Sequence, residues 1–369
     1  MKETKQRFPA TLLYCRPGFE NECAQEITAA ADTLSISGHI TTKPDSGLVA
    51  FIPHQDSGGR LRNLRFDEFI FPRQVIHDAI LCDKMPTGDR ITPLLQAIKH
   101  GLTSAASQRY SDMWLETADT NEAKELSGFL RRFEPAFTNA VRNAGLLAGA
   151  PDAPRLHVMF LDSAAAWIGV SSPDNSAPWP MGIPRLKMPR GAPSRSTLKL
   201  AEALHVMLTP DEFADWLHEG LTAVDLGAAP GGWTWQLVHH GLHVTAIDNG
   251  AMDPVLMASN QVEHRREDGF HYRPKRPVDW VVCDMIEKPA RIATLMADWV
   301  ADGHAKRAVF NLKLPMKKRR EQVLACRDDI ARRLAGVDYS LRFRQLYHDR
   351  EEVTAVLLRR EKAPRPRRR

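Results

Sequence analysis

Residues 224–235 read VDLGAAPGGWTW: an apolar run ending in a turn rich in glycine, followed at once by a helix-like start with two tryptophans. A strand that feeds a glycine turn and then a helix opens an α/β sheet, and ligands of such sheets collect at the carboxyl ends of the strands. Glycines there let the backbone approach a ligand closely, and the helix N-terminus offers unpaired N–H groups. Gly227, Gly231 and Gly232 stand where that approach is made. A dinucleotide fingerprint needs G-x-G-x-x-G, and G-A-A-P-G-G, with Pro230 in the turn, fits it poorly. NAD is therefore a minor reading beside another adenosine-bearing cofactor. Asp248 falls 21 residues after Gly227 at the end of the next strand. A carboxylate there can accept from both ribose hydroxyls or simply cap Gly250. Asp268 follows in the right order to meet an adenine amino group.

The surrounding pattern is doubly wound. Helix SRSTLKLAEALHVML leads into strand LTAVDLGA, helix GWTWQLVHHG and strands LHVTAIDNG and DWVVCDM. Helix ARIATLMADWVADG, strand RAVFNLKL and helix KRREQVLACRDDIARRLAG follow. YSLRFRQLYH and EVTAVLLRR then lie so close in sequence that a hairpin is required. The expected fold over residues 194–358 is α/β and Rossmann-like, a parallel sheet ending in an antiparallel hairpin. Before it, six prolines between Pro173 and Pro193 forbid regular structure, so residues 173–193 read as a linker or a strap over a surface. The front is α+β. Residues 1–67 hold TLLYC, a helix with Cys23, Ile27 and Ala31 on one face, and GLVAFIP, a small βαβ-type module. Residues 68–172 hold two helices among strands and close on LHVMFLDSAAAWIGVSS, two strands turning at Asp162 and Ser163.

With 43% hydrophobic and 26% charged residues over 369 positions, the chain has the balance of a globular protein rather than a fibrous or disordered one. No run reaches signal-peptide or membrane-span length, which makes a cytoplasmic monomer the default expectation. Cys15, Cys23, Cys82, Cys283 and Cys326 show no CxxC spacing, so neither a metal site nor a disulfide framework is expected. The net charge is only +5, but it is clumped in KKRR at 317–320, in the basic tail at 359–369, and at Arg131 and Arg132 beside Phe133. Such clumps suit a polyanion, nucleic acid first, and equally suit solvated helix faces.

D-L-G-A-A-P-G-G-W with an acidic strand end downstream resembles the cofactor site of the FtsJ/RrmJ-like ribose 2′-O-methyltransferases, over residues 194–358. The resemblance implies a class I methyltransferase domain and S-adenosylmethionine, held by Ser196, Gly227, Ala229, Pro230, Gly231, Gly232, Trp233, Asp248, Asp268 and Asp284. It also implies a Lys-Asp-Lys-Glu tetrad. SRSTLKL offers Lys199, VVCDM offers Asp284, VFNLKLP offers Lys313, and REEVTAV offers Glu352 in preference to Glu351. Lys313 is the expected general base, with Asp284 near both cofactor and Lys313, and Lys199 and Glu352 orienting the ribose. A lysine can take that role only where burial or a neighbouring cation destabilises its ammonium. Cys283 suggests a thiolate route to cytosine C5, but it lacks a Pro-Cys context and has an acid beside it. No NPPY-like segment follows that strand, which disfavours amine methylation.

The order of modules along the whole chain resembles a bacterial family of 23S rRNA cytidine methyltransferases, whose front half joins a ferredoxin-like module to a THUMP domain for RNA capture. That likeness implies 2′-O-methylation of a cytidine in the peptidyl-transferase loop, with 23S rRNA or a large-subunit precursor as partner. An RNA-binding ribosome assembly factor with an idle methyltransferase fold is the alternative.

Overall fold

LLY is apolar at consecutive positions, and β1 (Ala10–Tyr14), which contains it, is buried along its whole length. The computed structural model describes residues 8–102, 109–147 and 149–360, and the chain divides into two units, Met1–Pro184 and Arg185–Arg369. Most of the basic tail, residues 361–369, lies outside the described residues.

In the first unit β1 is followed by α1 (Glu20–Thr33), β2 (Gly38–Thr42), β3 (Leu48–Pro53), β4 (Gln74–Cys82), α2 (Ile91–Gly101), β5 (Met113–Thr117), α3 (Asn121–Asn143), β6 (Arg155–Asp162) and β7 (Ala165–Ser171). The strands make one sheet in the order β2-β3-β1-β4-β7-β6-β5. The opening is not the βαβ unit expected from sequence. The polar strand GHITT intervenes as β2, so β3 returns antiparallel to β1. Its pattern carries no apolar run to announce it. β4 serves both halves of the sheet. Gln74 to Ala79 pair with β1 and His77 to Cys82 with β7, with register shifts on both sides of Asp78, whose φ is +53. A bulge of this kind bends a strand and re-aims it.

Glu116 organises the polar interior of this sheet. Its carboxylate accepts from Tyr14 Oη at 3.0 Å, from His157 Nδ1 at 2.8 Å and from the Met181 amide at 2.6 Å. Gln74 Nε2 donates to the Ala177 carbonyl at 3.0 Å. The start of the proline-rich stretch is thus strapped onto the first unit's sheet by bonds to buried side chains.

The second unit contains α4 (Thr197–Met207), α5 (Pro210–Trp216), β8 (Thr222–Leu226), α6 (Gly232–His239), β9 (His243–Ile247), α7 (Pro254–Met257) and β10 (Val262–Arg265). It continues with β11 (Val278–Cys283), α8 (Pro289–Ala301), β12 (Ala305–Lys313), α9 (Arg319–Arg333), β13 (Tyr339–Arg344) and β14 (Glu352–Arg359). The sheet is mixed, in the order β10-β9-β8-β11-β12-β14-β13. The first five strands are parallel, while β14 runs antiparallel to both β12 and β13. VVC of β11 and AVF of β12 are buried on both faces, which is why they read as continuous apolar runs. Leu200, Leu204, Trp233, Leu237, Trp280, Val309 and Val356 form one core cluster against the sheet. Each side chain of this size contributes roughly 1.5–3 kcal/mol when fully buried. Three elements went unread in the sequence: α5, α7 and the charged edge strand β10. α5 does carry a signal, the Thr209 and Glu212 capping box.

Connections leave β8 toward β9 and β10 on one side, whereas β11 and β12 lie on the other. The order reverses between β8 and β11, and the crevice at their carboxyl ends is the topological switch point where such sheets bind ligands.

Candidate active site

The glycine turn sits at this switch point. Gly227 has φ +77, a left-handed conformation costly to other residues, and a Cβ there would lie 2.4 Å from Met285 Cγ. Gly231 and Gly232 were expected to clear space for a ligand. Instead, a Cβ on Gly231 would meet Leu256 Cδ2 at 2.5 Å, and one on Gly232 would meet Ser196 Oγ at 2.1 Å. The room they leave is taken by protein. Ser196 in turn shares a hydrogen bond with Ser194, Oγ to Oγ at 2.6 Å, just ahead of α4.

Asp248, at the end of β9, accepts from the Ala229 amide at 3.0 Å through Oδ2 and from the Gly250 amide at 2.7 Å through Oδ1. The capping role is real, and each oxygen keeps a second lone pair that a ribose diol could use. Pro230 fixes the next step of the loop, its carbonyl accepting from the Asp253 amide at 3.0 Å. Trp233 is a core residue, its ring buried under the sheet, so only its backbone belongs to the turn. Asp268 is 54% exposed and accepts from the Phe270 amide at 2.8 Å and from His271 Nδ1 at 2.7 Å. The Phe270 amide, with His271, holds it below the usual carboxylate range. The turn after β8 and the carboxylates after β9 and β10 thus occupy successive strand ends, a donor and acceptor set that fits an adenosine.

Beneath the turn, Asp225 is fully buried and accepts from Thr234 Oγ1 at 2.6 Å. Burial pushes its carboxyl up to about 7, against the pull of the Thr234 bond and with Asp284 and Asp248 adding to the rise. The native state therefore holds this proton more tightly than the unfolded chain, and stability falls as pH rises from about 4 to about 7. Asp225→Asn should remove that penalty. Denaturant unfolding should show the variant more stable than the parent at pH 8, by at most about 4 kcal/mol, with little gain at pH 4. A gain of equal size at both pH values would contradict a buried neutral acid.

The structure brings Lys199, Asp284, Lys313 and Glu352 together at the same rim. Lys313 Nζ donates to Asp284 Oδ1 at 2.8 Å and to Glu352 Oε1 at 2.7 Å. Lys199 Nζ donates to Glu352 Oε2 at 2.7 Å and lies 3.3 and 3.4 Å from the two Asp284 oxygens. Each lysine thus contacts both carboxylates, and the four side chains are only 12–20% exposed. Topology explains the convergence. Asp284 follows β11, Lys313 ends β12, and Glu352 begins β14 directly opposite Lys313 in the antiparallel register. Lys199 comes from α4, and Glu202, one turn further on, accepts from the Tyr347 and His348 amides at 2.8 Å each. One helix therefore supplies a tetrad lysine and pins the loop that leads to Glu352. Glu351 points elsewhere, pairing with Arg319 at 2.7 Å.

Burial alone would push the Lys313 ammonium toward neutrality, but Asp284 and Glu352 overcome it and raise its pKa above the ordinary value. The resting group is a paired ammonium, not the destabilised one expected from sequence, because the two carboxylates outweigh burial and the neighbouring Lys199. Cys283 is fully buried and pushed up to about 12 chiefly by that burial, so it supplies no thiolate near neutral pH. Among the described residues no His, Cys, Asp and Glu group could hold a metal ion, and no helix is long and apolar enough to cross a membrane.

The basic run at 317–320 divides. Lys317 and Lys318 are exposed, whereas Arg319 and Arg320 are half-buried. Ile286 and Met316, in the loops that follow Asp284 and Lys313 along the chain, are 91% and 82% exposed. On α3 of the first unit Arg131 and Arg132 are exposed, while Phe133 stacks with Phe129 and Phe137.

A switch-point glycine turn, acids on successive strands and a Lys-Asp-Lys-Glu rim define a methyltransferase domain of the FtsJ-like kind, whose family model matches residues 192–307. Models for the RlmM ferredoxin-like domain and for the N-terminal region of ribosomal RNA large subunit methyltransferase M match residues 8–76 and 89–172. The chain belongs to the ribosomal RNA large subunit methyltransferase M family. The member from Methylococcus capsulatus is 57% identical over 350 residues, covering 94% of this chain and 97% of that protein. Those from Azoarcus sp. and Pseudomonas fluorescens are 49% and 45% identical over 354 and 351 residues, covering 94% of this chain and 95% and 96% of theirs.

Proposed function

We propose that the chain methylates the 2′-hydroxyl of a cytidine in the peptidyl-transferase loop of 23S rRNA, using S-adenosylmethionine, with Lys313 as general base. The observation that carries this reading is the tetrad itself, two lysines each shared by the same two carboxylates at the switch point. When bound, S-adenosylmethionine supplies an electrophilic methyl group. Asp248 receives the adenosine ribose, the Gly227 turn gives its backbone to the ligand, and Asp268 takes the base. The target hydroxyl would dock against Lys313 and give its proton to Nζ as its oxygen takes the methyl, whose bond to the sulfonium sulfur breaks to leave a neutral thioether. Asp284 and Glu352 stabilise the ammonium produced, so the same pairing that raises the Lys313 pKa makes the neutral amine a strong proton acceptor. Lys199 competes for both carboxylates and favours loss of one proton from the pair.

In this reading residues 1–67 and 68–172 form a ferredoxin-like and THUMP-like RNA-capture region, residues 173–193 connect it to the catalytic domain at 194–358, and the tail at 359–369 adds positive charge. The enzyme acts in the cytoplasm on 23S rRNA or its precursor. The test is methyl transfer from labelled S-adenosylmethionine to 23S rRNA from cells lacking the gene, followed by mapping. The expected product is one alkali-resistant linkage at a cytidine. Label on a base would overturn the ribose assignment, and rRNA binding without transfer would favour an assembly role.

A further inference from the structure

Behind the tetrad lies a polar residue that the sequence reading passed over. Asn311 is wholly buried and precedes Lys313 by two positions on β12, so both side chains leave the same face of the strand. Its Nδ2 donates to Asp284 Oδ1 at 2.9 Å and to Glu352 Oε2 at 3.1 Å. It therefore touches one oxygen of each carboxylate that the two lysines share.

The amide is oriented from behind. Thr354 stands opposite Asn311 in the β12–β14 register, as Glu352 stands opposite Lys313. Thr354 Oγ1 donates to Asn311 Oδ1 at 2.7 Å and lies 2.9 Å from Asp349 Oδ2. A hydroxyl has one proton. If Thr354 gives it to Asn311, the Asp349 contact requires Asp349 to be the donor, in its neutral form. Full burial, then the charges of Glu352 and Glu202, hold that carboxyl well above its usual range, against the opposing pull of the Thr354 contact and of the Leu346 amide, which donates to the same Oδ2 at 3.1 Å. The chain from Asp349 through Thr354 to Asn311 then has one consistent direction, and it ends with both amide protons available to the tetrad carboxylates.

We propose that Asn311, oriented through Thr354 by Asp349, is a positioning residue that holds Asp284 and Glu352 at a fixed spacing and withdraws part of their charge from Lys313. The inference rests on the reading of Lys313 as the base. Lys313 is faced by Lys199 from α4, Asp284 after β11 and Glu352 from β14, and the buried Asp225 of β8 is coupled electrostatically to Asp284. Within that set Asn311 is a neutral donor to both acids. Replacing it with a third acid, or deleting it, returns negative charge to the lysine and strengthens its hold on the proton.

The experiment compares kcat against pH for the full-length parent, Asn311→Asp, Asn311→Ala and Lys313→Ala on 23S rRNA, with cofactor affinity measured alongside. Asn311→Asp is isosteric and should move the rising limb of kcat to higher pH by about one unit or more, with cofactor affinity within a few-fold of the parent. Asn311→Ala should move it the same way by less. Profiles that overlay the parent's, whether or not kcat is uniformly reduced, would overturn the inference and leave Asn311 a structural residue. An inactive Lys313→Ala beside an unshifted Asn311→Asp sinks this inference alone. An active Lys313→Ala overturns the general-base reading and this inference with it.

Discussion

Lys313→Ala should bind the cofactor within a few-fold of the parent and transfer methyl at least about 10²-fold more slowly, the lower end of what a positioned base contributes. The effect should exceed that lower end, because the substitution also leaves Asp284 and Glu352 with Lys199 as the remaining tetrad cation. Lys313→Arg separates the two causes. Arginine keeps the charge and can satisfy both carboxylates, yet it does not deprotonate at any working pH. Under the base assignment it should still lose at least about 10²-fold in rate, the share owed to the base alone, while retaining the parent's thermal stability. An active arginine variant would reassign Lys313 to charge placement. The raised pKa of Lys313 also fixes the direction of the parent's pH dependence. Only the neutral amine accepts a proton, so kcat should climb with pH on the alkaline side of neutrality.

Gly227→Val is expected to have the second large effect, first on cofactor binding and then, through Met285, on the tetrad. Its φ of +77 costs an ordinary residue roughly 1–2 kcal/mol, and a β-branched one no less. The new side chain would also enter the place of Met285 Cγ, and fitting it should cost about 1–3 kcal/mol more. Met285 follows Asp284 in sequence, so the strain falls on the turn and on a tetrad carboxylate together. Calorimetric titration with S-adenosylhomocysteine should show affinity reduced about 10²-fold, and saturating cofactor should fail to restore kcat. Normal affinity in a folded variant would remove the turn from the cofactor site.

The second unit was largely legible in the sequence because buried parallel strands leave long apolar runs and the glycine turn marks where the first of them ends. The four tetrad side chains could be placed by motif. Their supports could not, although the spacing held a clue. N-L-K and E-V-T each put a polar residue two positions from a tetrad member, hence on its face, but that matters only once the β12–β14 register is known. Glu202 was hidden differently, since a glutamate in a helix reads as solvent-facing until its partners across the chain are found. Polar strands were the other blind spot. β2 and β10 are edge strands with solvated faces, and missing β2 turned an antiparallel return into an expected βαβ unit. The basic run at 317–320 also looked uniform as text. Its first two residues face solvent, while Arg319 is committed to Glu351.

The bulged strand β4 has a consequence for anyone dividing the protein. Family models part the front of the chain into segments ending at 76 and starting at 89, and the seam falls within or just after a strand that hydrogen-bonds both ways. A cut at that seam leaves β1 or β7 with an open edge, an invitation to aggregate. Any swap between relatives should therefore carry the sheet whole, from β1 through β7 along the chain, as a single cassette.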